Sequence, residues 1–228
     1  MKTTGGTDDQ KRRAGERAAE AVADGDVVGL GTGSTAAHAI RAIGEAVDAG
    51  LDVRGVPTSF DARRLARDAG IPLRSLDEVD GIDLAIDGAD RIDRDRTAIK
   101  GGGAAHAREK VVDAAADRFV VVADPSKVVD TLSHPVPVEV LPDAHAAVER
   151  EVAALDGEPT LRRAEAKDGP VVTDNGNLVL DCAFGRIDDP AGLARRLSPV
   201  PGVVEHGLFV NLVDTVYVGT DDGVDRLE

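Results

Sequence analysis

Val27-Val28-Gly29-Leu30-Gly31-Thr32-Gly33-Ser34-Thr35 is a short apolar run that passes directly into a glycine-rich turn ending in two hydroxyl residues. Helical spacing resumes from Ala36 to Val47, so the unit reads as strand, glycine turn, helix. Glycines at such a junction let the backbone approach a ligand, and the exposed amides of the helix start favour an anion. A dinucleotide fingerprint needs glycine where Ser34 stands, and a P-loop needs Gly-Lys-Ser/Thr, so neither nucleotide motif is met. What remains suits a compact phosphate held by the Ser34 and Thr35 hydroxyls. The alternative is a glycine-rich turn with capping hydroxyls and no ligand.

On the N-terminal side, Ala14, Ala18, Ala21 and Val22 mark a helix from Asp8 to Asp24 with Gly25 as its stop. On the other side strands and helices alternate. Strands are expected at 51–56, 82–86 (closing on Asp87) and 119–122 (closing on Asp124), with helices at 59–69, capped by Ser59, and 104–116. This rhythm predicts an α/β fold, a Rossmann-like, mostly parallel sheet with helices on both faces. Ligands in such sheets bind beyond the carboxyl ends of the strands. Three of those ends carry polar clusters: 31–35, 87–90 and 124–127.

After Leu132 the pattern becomes β-α-β-β-α-β. The expectations are an edge strand at 134–140, a helix at 143–155, strands at 161–164 and 171–174, a tight turn at 174–177, a strand at 178–183, a helix at 190–197 and a strand at 203–204. That is a smaller α+β ferredoxin-like domain. The tail strands at 207–210 and 215–218 are expected to return to the first sheet. The predicted organisation is 1–132 with 206–228 as a Rossmann-like catalytic domain, and 133–205 as a small lid or oligomerisation domain.

Composition narrows the function. Of 228 residues 42% are apolar, enough for a sizeable core, while only 2% are aromatic, which disfavours base-stacking RNA binders. A net charge of -15 repels nucleic-acid backbones and anionic membranes, so neither is an expected partner. The acid is 30 Asp against six Lys, an acidic, strongly hydrated surface suited to concentrated salt. A single cysteine, Cys182, excludes an intramolecular disulfide framework and reads as a buried hydrophobe. The polar N-terminus has no signal-peptide core and no run is long enough to span a bilayer, so the expected location is cytoplasmic.

Two further clusters carry chemistry. Asp87-Gly88-Ala89-Asp90 places two carboxylates across a glycine turn, able to accept sugar hydroxyls or to transfer protons. Metal binding is the rival reading, without an imidazole beside the pair and with Lys100 competing. Lys100-Gly101-Gly102-Gly103 is costly to order as a bland loop and would bare amides beside a fixed positive charge, a place for a developing oxyanion. Glu109 lies about two turns into the following helix by rise, either as a base or as a surface charge. Lys127 can reach the ligand edge of the sheet, and Lys11 could fold over the glycine turn. The five histidines lack metal-ligand spacing, and no metal is expected.

Together Gly31-Thr32-Gly33-Ser34-Thr35-Ala36, Asp87-Gly88-Ala89-Asp90, Lys100-Gly101-Gly102-Gly103 with Arg108-Glu109-Lys110, and Val172-Thr173-Asp174-Asn175-Gly176-Asn177 resemble the A-type ribose-5-phosphate isomerase family in order and spacing. Pro201-Gly202-Val203-Val204, Gly207-Leu208-Phe209 and the stretch 219–224 extend the likeness from Lys11 to Val224. The resemblance implies interconversion of D-ribose 5-phosphate and D-ribulose 5-phosphate in the non-oxidative pentose phosphate pathway, with no cofactor or metal and a homodimer or homotetramer as assembly. It implies Glu109 as the base between C1 and C2 and Asp87 in ring opening and hydroxyl proton transfer. Asp90 and Lys100 would hold hydroxyls and the enediolate. Lys11, Thr32 to Thr35, Gly88, Ala89, Gly101 to Gly103 and Lys127 would bind the sugar phosphate, and Thr58 to Asp61 would border the pocket. A non-catalytic sugar-phosphate sensor and an isomerase or deaminase of amino-sugar phosphates are the competing readings; turnover of each substrate class separates them.

Overall fold

The computed structural model describes residues 5–227. In chain order the elements are α1 (Asp8–Ala19), β1 (Val27–Leu30), α2 (Ser34–Asp48), β2 (Arg54–Pro57), α3 (Phe60–Asp68), β3 (Leu84–Gly88), β4 (Arg91–Ile92) and β5 (Ala98–Ile99). There follow α4 (His106–Ala114), β6 (Phe119–Ala123), β7 (Val136–Val140), α5 (His145–Ala154), β8 (Glu158–Leu161) and β9 (Leu178–Ala183). The chain closes with α6 (Pro190–Leu197), β10 (Val203–His206), β11 (Leu208–Phe209), β12 (Thr215–Gly219) and β13 (Val224–Leu227). The described residues divide into two compact units, one of 5–89, 108–128 and 211–227, the other of Asp90–Ala107 with Val129–Val210.

The first unit holds a six-stranded sheet in the order β13-β12-β6-β3-β1-β2. Every pair is parallel except β12 with β13. Near-continuous apolar strands such as Phe119–Ala123, buried at every position, are what a sheet covered on both sides requires. On one face Val28, Leu30, Leu84, Ile86, Val120 and Val122 pack with Ala14, Ala18, Ala36, Ile40, Ala62 and Ala66 of α1, α2 and α3. On the other, Val112 of α4 clusters with Val56 and Ile82. The expected α/β sheet is present. Strand order reverses between β1 and β3, the switch point at whose carboxyl edge ligands of such sheets bind.

Local expectations differ in instructive ways. Helix α1 ends at Ala19 rather than Asp24, because Ala21 and Val22 donate to Ala18 and Ala19 in tightened final turns and Gly25 donates to Asp52 O at 2.7 Å. Of the two tail strands, β12 enters the first sheet, whereas β11 pairs antiparallel with β5 in a three-stranded sheet β11-β5-β4 of the other unit.

The second unit contains β7-α5-β8-β9-α6-β10 with the antiparallel order β10-β7-β9-β8, the ferredoxin-like arrangement expected. Val136, Val138, Val140, Leu180 and Cys182 pack with Val148 and Val152 of α5 and Leu193 and Leu197 of α6. Strand β7 is interior, not an edge, pairing with both β9 and β10. Its Pro137 is tolerated because the β10 ladder begins only at Val138, while Pro137 O accepts from Gly207 N at 2.7 Å. Residues 171–174 form no strand. Thr173 Oγ1, Asn175 Nδ2 and Asn177 Nδ2 donate to Oε1 of the fully buried Glu139 at 3.0, 3.0 and 2.8 Å, which binds this stretch as a turn and leaves one bridge, Val172 to Leu178.

Candidate active site

In the first unit, four adjacent parallel strands end in polar groups at the same edge: β2 in Thr58 and Ser59, β1 in Gly31 to Thr35, β3 in Asp87, and β6 in Asp124 to Lys127. The turn after β1 is held to β3 by Gly31 N–H donating to Ile86 O at 2.9 Å and Thr32 N–H donating to Asp87 Oδ1 at 2.9 Å. The approach is so close that a Cβ on Gly31 would lie 2.2 Å from Asp87 Cγ. Gly33, at φ +116°, caps α2 without a side-chain bond, and no acid occupies the helix's first turn. By contrast α1 and α3 begin with hydroxyl caps and with Asp8, Asp9 and Asp61. The start of α2 therefore suits an external anion. Ser34 is exposed there and Thr35 buried.

Thr32 Oγ1 also donates to Ser59 Oγ at 2.7 Å and lies 3.0 Å from Thr58 Oγ1, so the end of β2 braces the turn. Asp87 is fully buried, and its Oδ1 accepts from Gly88 N–H at 2.6 Å as well as from Thr32. Two backbone donors fix the direction of that carboxylate oxygen. Asp124, likewise buried, accepts from Ser126 N–H at 2.9 Å and caps the 3-10 turn Pro125–Lys127, which places Lys127 at the sheet edge with 8% of its surface exposed. Lys11 stands half-buried on α1, where its N–H donates to Thr7 O.

Glu109 corrects the expected position. Helix α4 starts at His106, so Glu109 lies in its first turn rather than two turns in, and it is only 4% exposed. A solvated helix charge would not be buried in this way.

The second unit carries Asp90 and the glycine loop. Lys100 follows β5, has 2% of its surface exposed, donates its N–H to Gly207 O at 2.9 Å, and sets Nζ 5.2 Å from the ring centroid of Phe209. Asp90 Oδ2 accepts from Gly102 N–H at 2.7 Å, so this amide, one of the three offered for an oxyanion, is engaged by a carboxylate. A Cβ on Gly102 would fall 2.5 Å from Asp90 Oδ1, and on Gly101, at φ +105°, 2.7 Å from His106 Nδ1. Ala104 completes the loop in the left-handed region at φ +60°, a strained state for a residue with a side chain.

One feature of this loop went unread in the sequence. Arg162 donates to the carbonyls of Gly101 and Gly102 and to both carboxylate oxygens of Asp181. Burial alone would raise the Asp181 carboxyl, but its hydrogen bonds and charge pairing with Arg162 outweigh that and hold it below the usual range. Among the described residues no group of three or more His, Cys, Asp or Glu is placed to hold a metal ion.

A family model described as ribose 5-phosphate isomerase A (phosphoriboisomerase A) matches residues 54–223. The ribose-5-phosphate isomerase A of Natronomonas pharaonis is 68% identical over 225 residues, covering 99% of both chains, and that of Haloarcula marismortui is 69% identical over 220 residues, covering 96% of each. Among solved structures, a D-ribose-5-phosphate isomerase in complex with phospho-erythronic acid superposes with a TM-score of 0.95 at 44% identity, covering 98% of this chain and all of the other. The ribose 5-phosphate isomerase A of Methanocaldococcus jannaschii gives 0.94 at 45% identity with the same coverage.

Proposed function

The chain belongs to the ribose 5-phosphate isomerase A family, and we infer that it interconverts D-ribose 5-phosphate and D-ribulose 5-phosphate through an enediolate. The observation that carries the assignment of a base is the burial of Glu109 in the first turn of α4. In the aldose to ketose direction Glu109 takes the proton from C2, the electron pair forms the C1–C2 double bond, and charge collects on O1. The same carboxyl returns its proton to C1, while the hydroxyl proton passes from O2 to O1 with Asp87 as the relay.

Asp87 also serves ring opening, for which a buried, doubly bonded carboxylate is suited. Thr32, Gly33, Ser34, Thr35 and Lys127 bind the phosphate, with Lys11 adding charge and Gly88 and Ala89 flanking the sugar. Binding energy from this remote group positions the reacting carbons. Lys100, with the loop of Gly101 to Gly103, steadies the enediolate, and Asp90 fixes that loop besides facing a sugar hydroxyl. The family likeness supports self-association through residues 133–205 and a cytoplasmic location; no described helix is long and apolar enough to cross a membrane. Light scattering on the eluting protein reads the assembly.

A coupled isomerisation assay tests the reading. Glu109→Gln is expected to lower turnover by at least about 10³-fold while inorganic phosphate binds as before. Near-normal turnover removes Glu109 as the base.

A further inference from the structure

Arg162 follows directly on β8, and the guanidinium bridges two partners of opposite kind. Nε donates to Asp181 Oδ2 at 2.9 Å and Nη2 to Oδ1, while Nη1 donates to Gly101 O at 2.8 Å and Gly102 O at 3.2 Å. The two side chains are 10% and 19% exposed. A guanidinium is a rigid plane of donors, so a carboxylate gripping one edge fixes the direction of the remaining nitrogen.

We propose that Arg162, oriented by Asp181, is a positioning residue for the isomerisation, turning the carbonyls of Gly101 and Gly102 to one side so that the loop offers Lys100 and the Gly103 amide to the enediolate. In a trans peptide the C=O and N–H point in opposite directions. The peptide joining Gly101 to Gly102 is held at both ends, its oxygen by Arg162 and its N–H by Asp90 Oδ2. The peptide joining Gly102 to Gly103 has its oxygen on Arg162, which directs the Gly103 N–H away from the arginine. Three glycines rotate freely; a flip of the first peptide would turn its carbonyl against the Asp90 carboxylate and release the loop, and a flip of the second would aim a carbonyl dipole at developing negative charge. The arginine blocks both flips without touching substrate.

This inference rests on the reading that the glycine loop stabilises the enediolate, and the test separates the two. Arg162→Met, Arg162→Lys and Asp181→Asn are compared with the wild-type chain for kcat and KM on ribose 5-phosphate, for Tm, and for binding of two probes. Phospho-erythronic acid carries a carboxylate at the reacting end, whereas inorganic phosphate reports only the anion site. For Arg162→Met we expect kcat to fall about 10²-fold with KM within about threefold, phospho-erythronic acid to bind about 10²-fold more weakly, and phosphate to bind unchanged. Lysine, lacking the planar fork, recovers less than a tenth of the loss. Asp181→Asn keeps the shape and loses the charge, so its kcat falls by about tenfold, and it carries the test if Arg162→Met does not fold. Unchanged kcat, or equal weakening of both probes together with a lowered Tm, overturns the positioning role. Wild-type protein without turnover would overturn the proposed isomerase activity instead.

Discussion

Gly31→Ala probes the contact on which the site depends, the approach of the β1 turn to Asp87. An added Cβ would stand 2.2 Å from Asp87 Cγ and 2.5 Å from Asp87 Cα, so a displacement of more than an ångström is needed to restore ordinary contact. The Thr32 N–H bond to Asp87 Oδ1, now 2.9 Å, cannot survive that displacement. Overpacking costs about 1–3 kcal/mol and loss of a hydrogen bond to a charged group about 1.5–3 kcal/mol, so the sum is roughly 3–6 kcal/mol. For a chain of this length the melting temperature should fall on the order of 10 °C. Misplacing Asp87 by about 1 Å should cost about 10²-fold in kcat/KM on top of any loss of folded protein. The assays are thermal unfolding by circular dichroism and ribose 5-phosphate isomerisation well below the melting temperature. Gly81→Ala is the control, since nothing lies within 4 Å of its Cβ and its φ is ordinary. If Gly31→Ala matches Gly81→Ala in both assays, the close approach and the role of the turn in holding Asp87 are refuted.

Two other outcomes follow from burial. Lys127→Ala should raise KM by roughly 10- to 100-fold, the value of one charge-assisted bond to phosphate, with kcat within about threefold, because the phosphate is bound alike in ground and transition states; a loss confined to kcat contradicts that role. Burial pushes the Cys182 thiol up to about 12 from 9.0, so at pH 8 iodoacetamide should label the folded chain about 10³-fold more slowly than the urea-unfolded chain. By linkage the unfolded thiol loses its proton first, so the stability this thiol contributes is intact below about 9 and is lost as pH rises toward about 12. Equal labelling of folded and unfolded protein would contradict the burial.

The parallel sheet was legible because each strand is an apolar run closed by a cluster of unusual residues, and those clusters mark the carboxyl edge. Strand β1 and helix α6 occur over the residues the pattern predicts, 27–30 and 190–197. The pieces that escaped have no periodicity to read. Strands β4 and β5 are two residues each, and β13, Val224–Leu227, is a half-exposed edge whose Asp225 and Arg226 mask its alternation. Prolines 135 and 137 suggested an edge because a proline removes a ladder donor; whether that donor was needed depends on where the neighbouring strand begins, which is a tertiary fact.

The same division holds for the site. Residues whose role comes from local backbone, such as the glycine turn at 31–33 and the carboxylates at 87 and 90, announce themselves, since each cluster stops an apolar strand at the edge where ligands of such sheets bind. Glu109 gave no such signal: Arg108-Glu109-Lys110 is ordinary helix-surface composition, and only the packed structure shows it 4% exposed. Arg162 was harder still, since it is one of 21 arginines and lies 61 residues from the Gly101 carbonyl it binds. A side chain that acts by restraining backbone carbonyls needs only a donor fork at the right place, and nothing in its own neighbourhood along the chain has to be unusual. In a chain this rich in acid, several arginines answer a nearby carboxylate on the surface, as Arg12 does with Asp9 and Glu16 and Arg64 with Asp61 and Asp68. What separates Arg162 is that its carboxylate partner leaves one guanidinium nitrogen for carbonyl oxygens, and carbonyls of a loop have no signature in sequence.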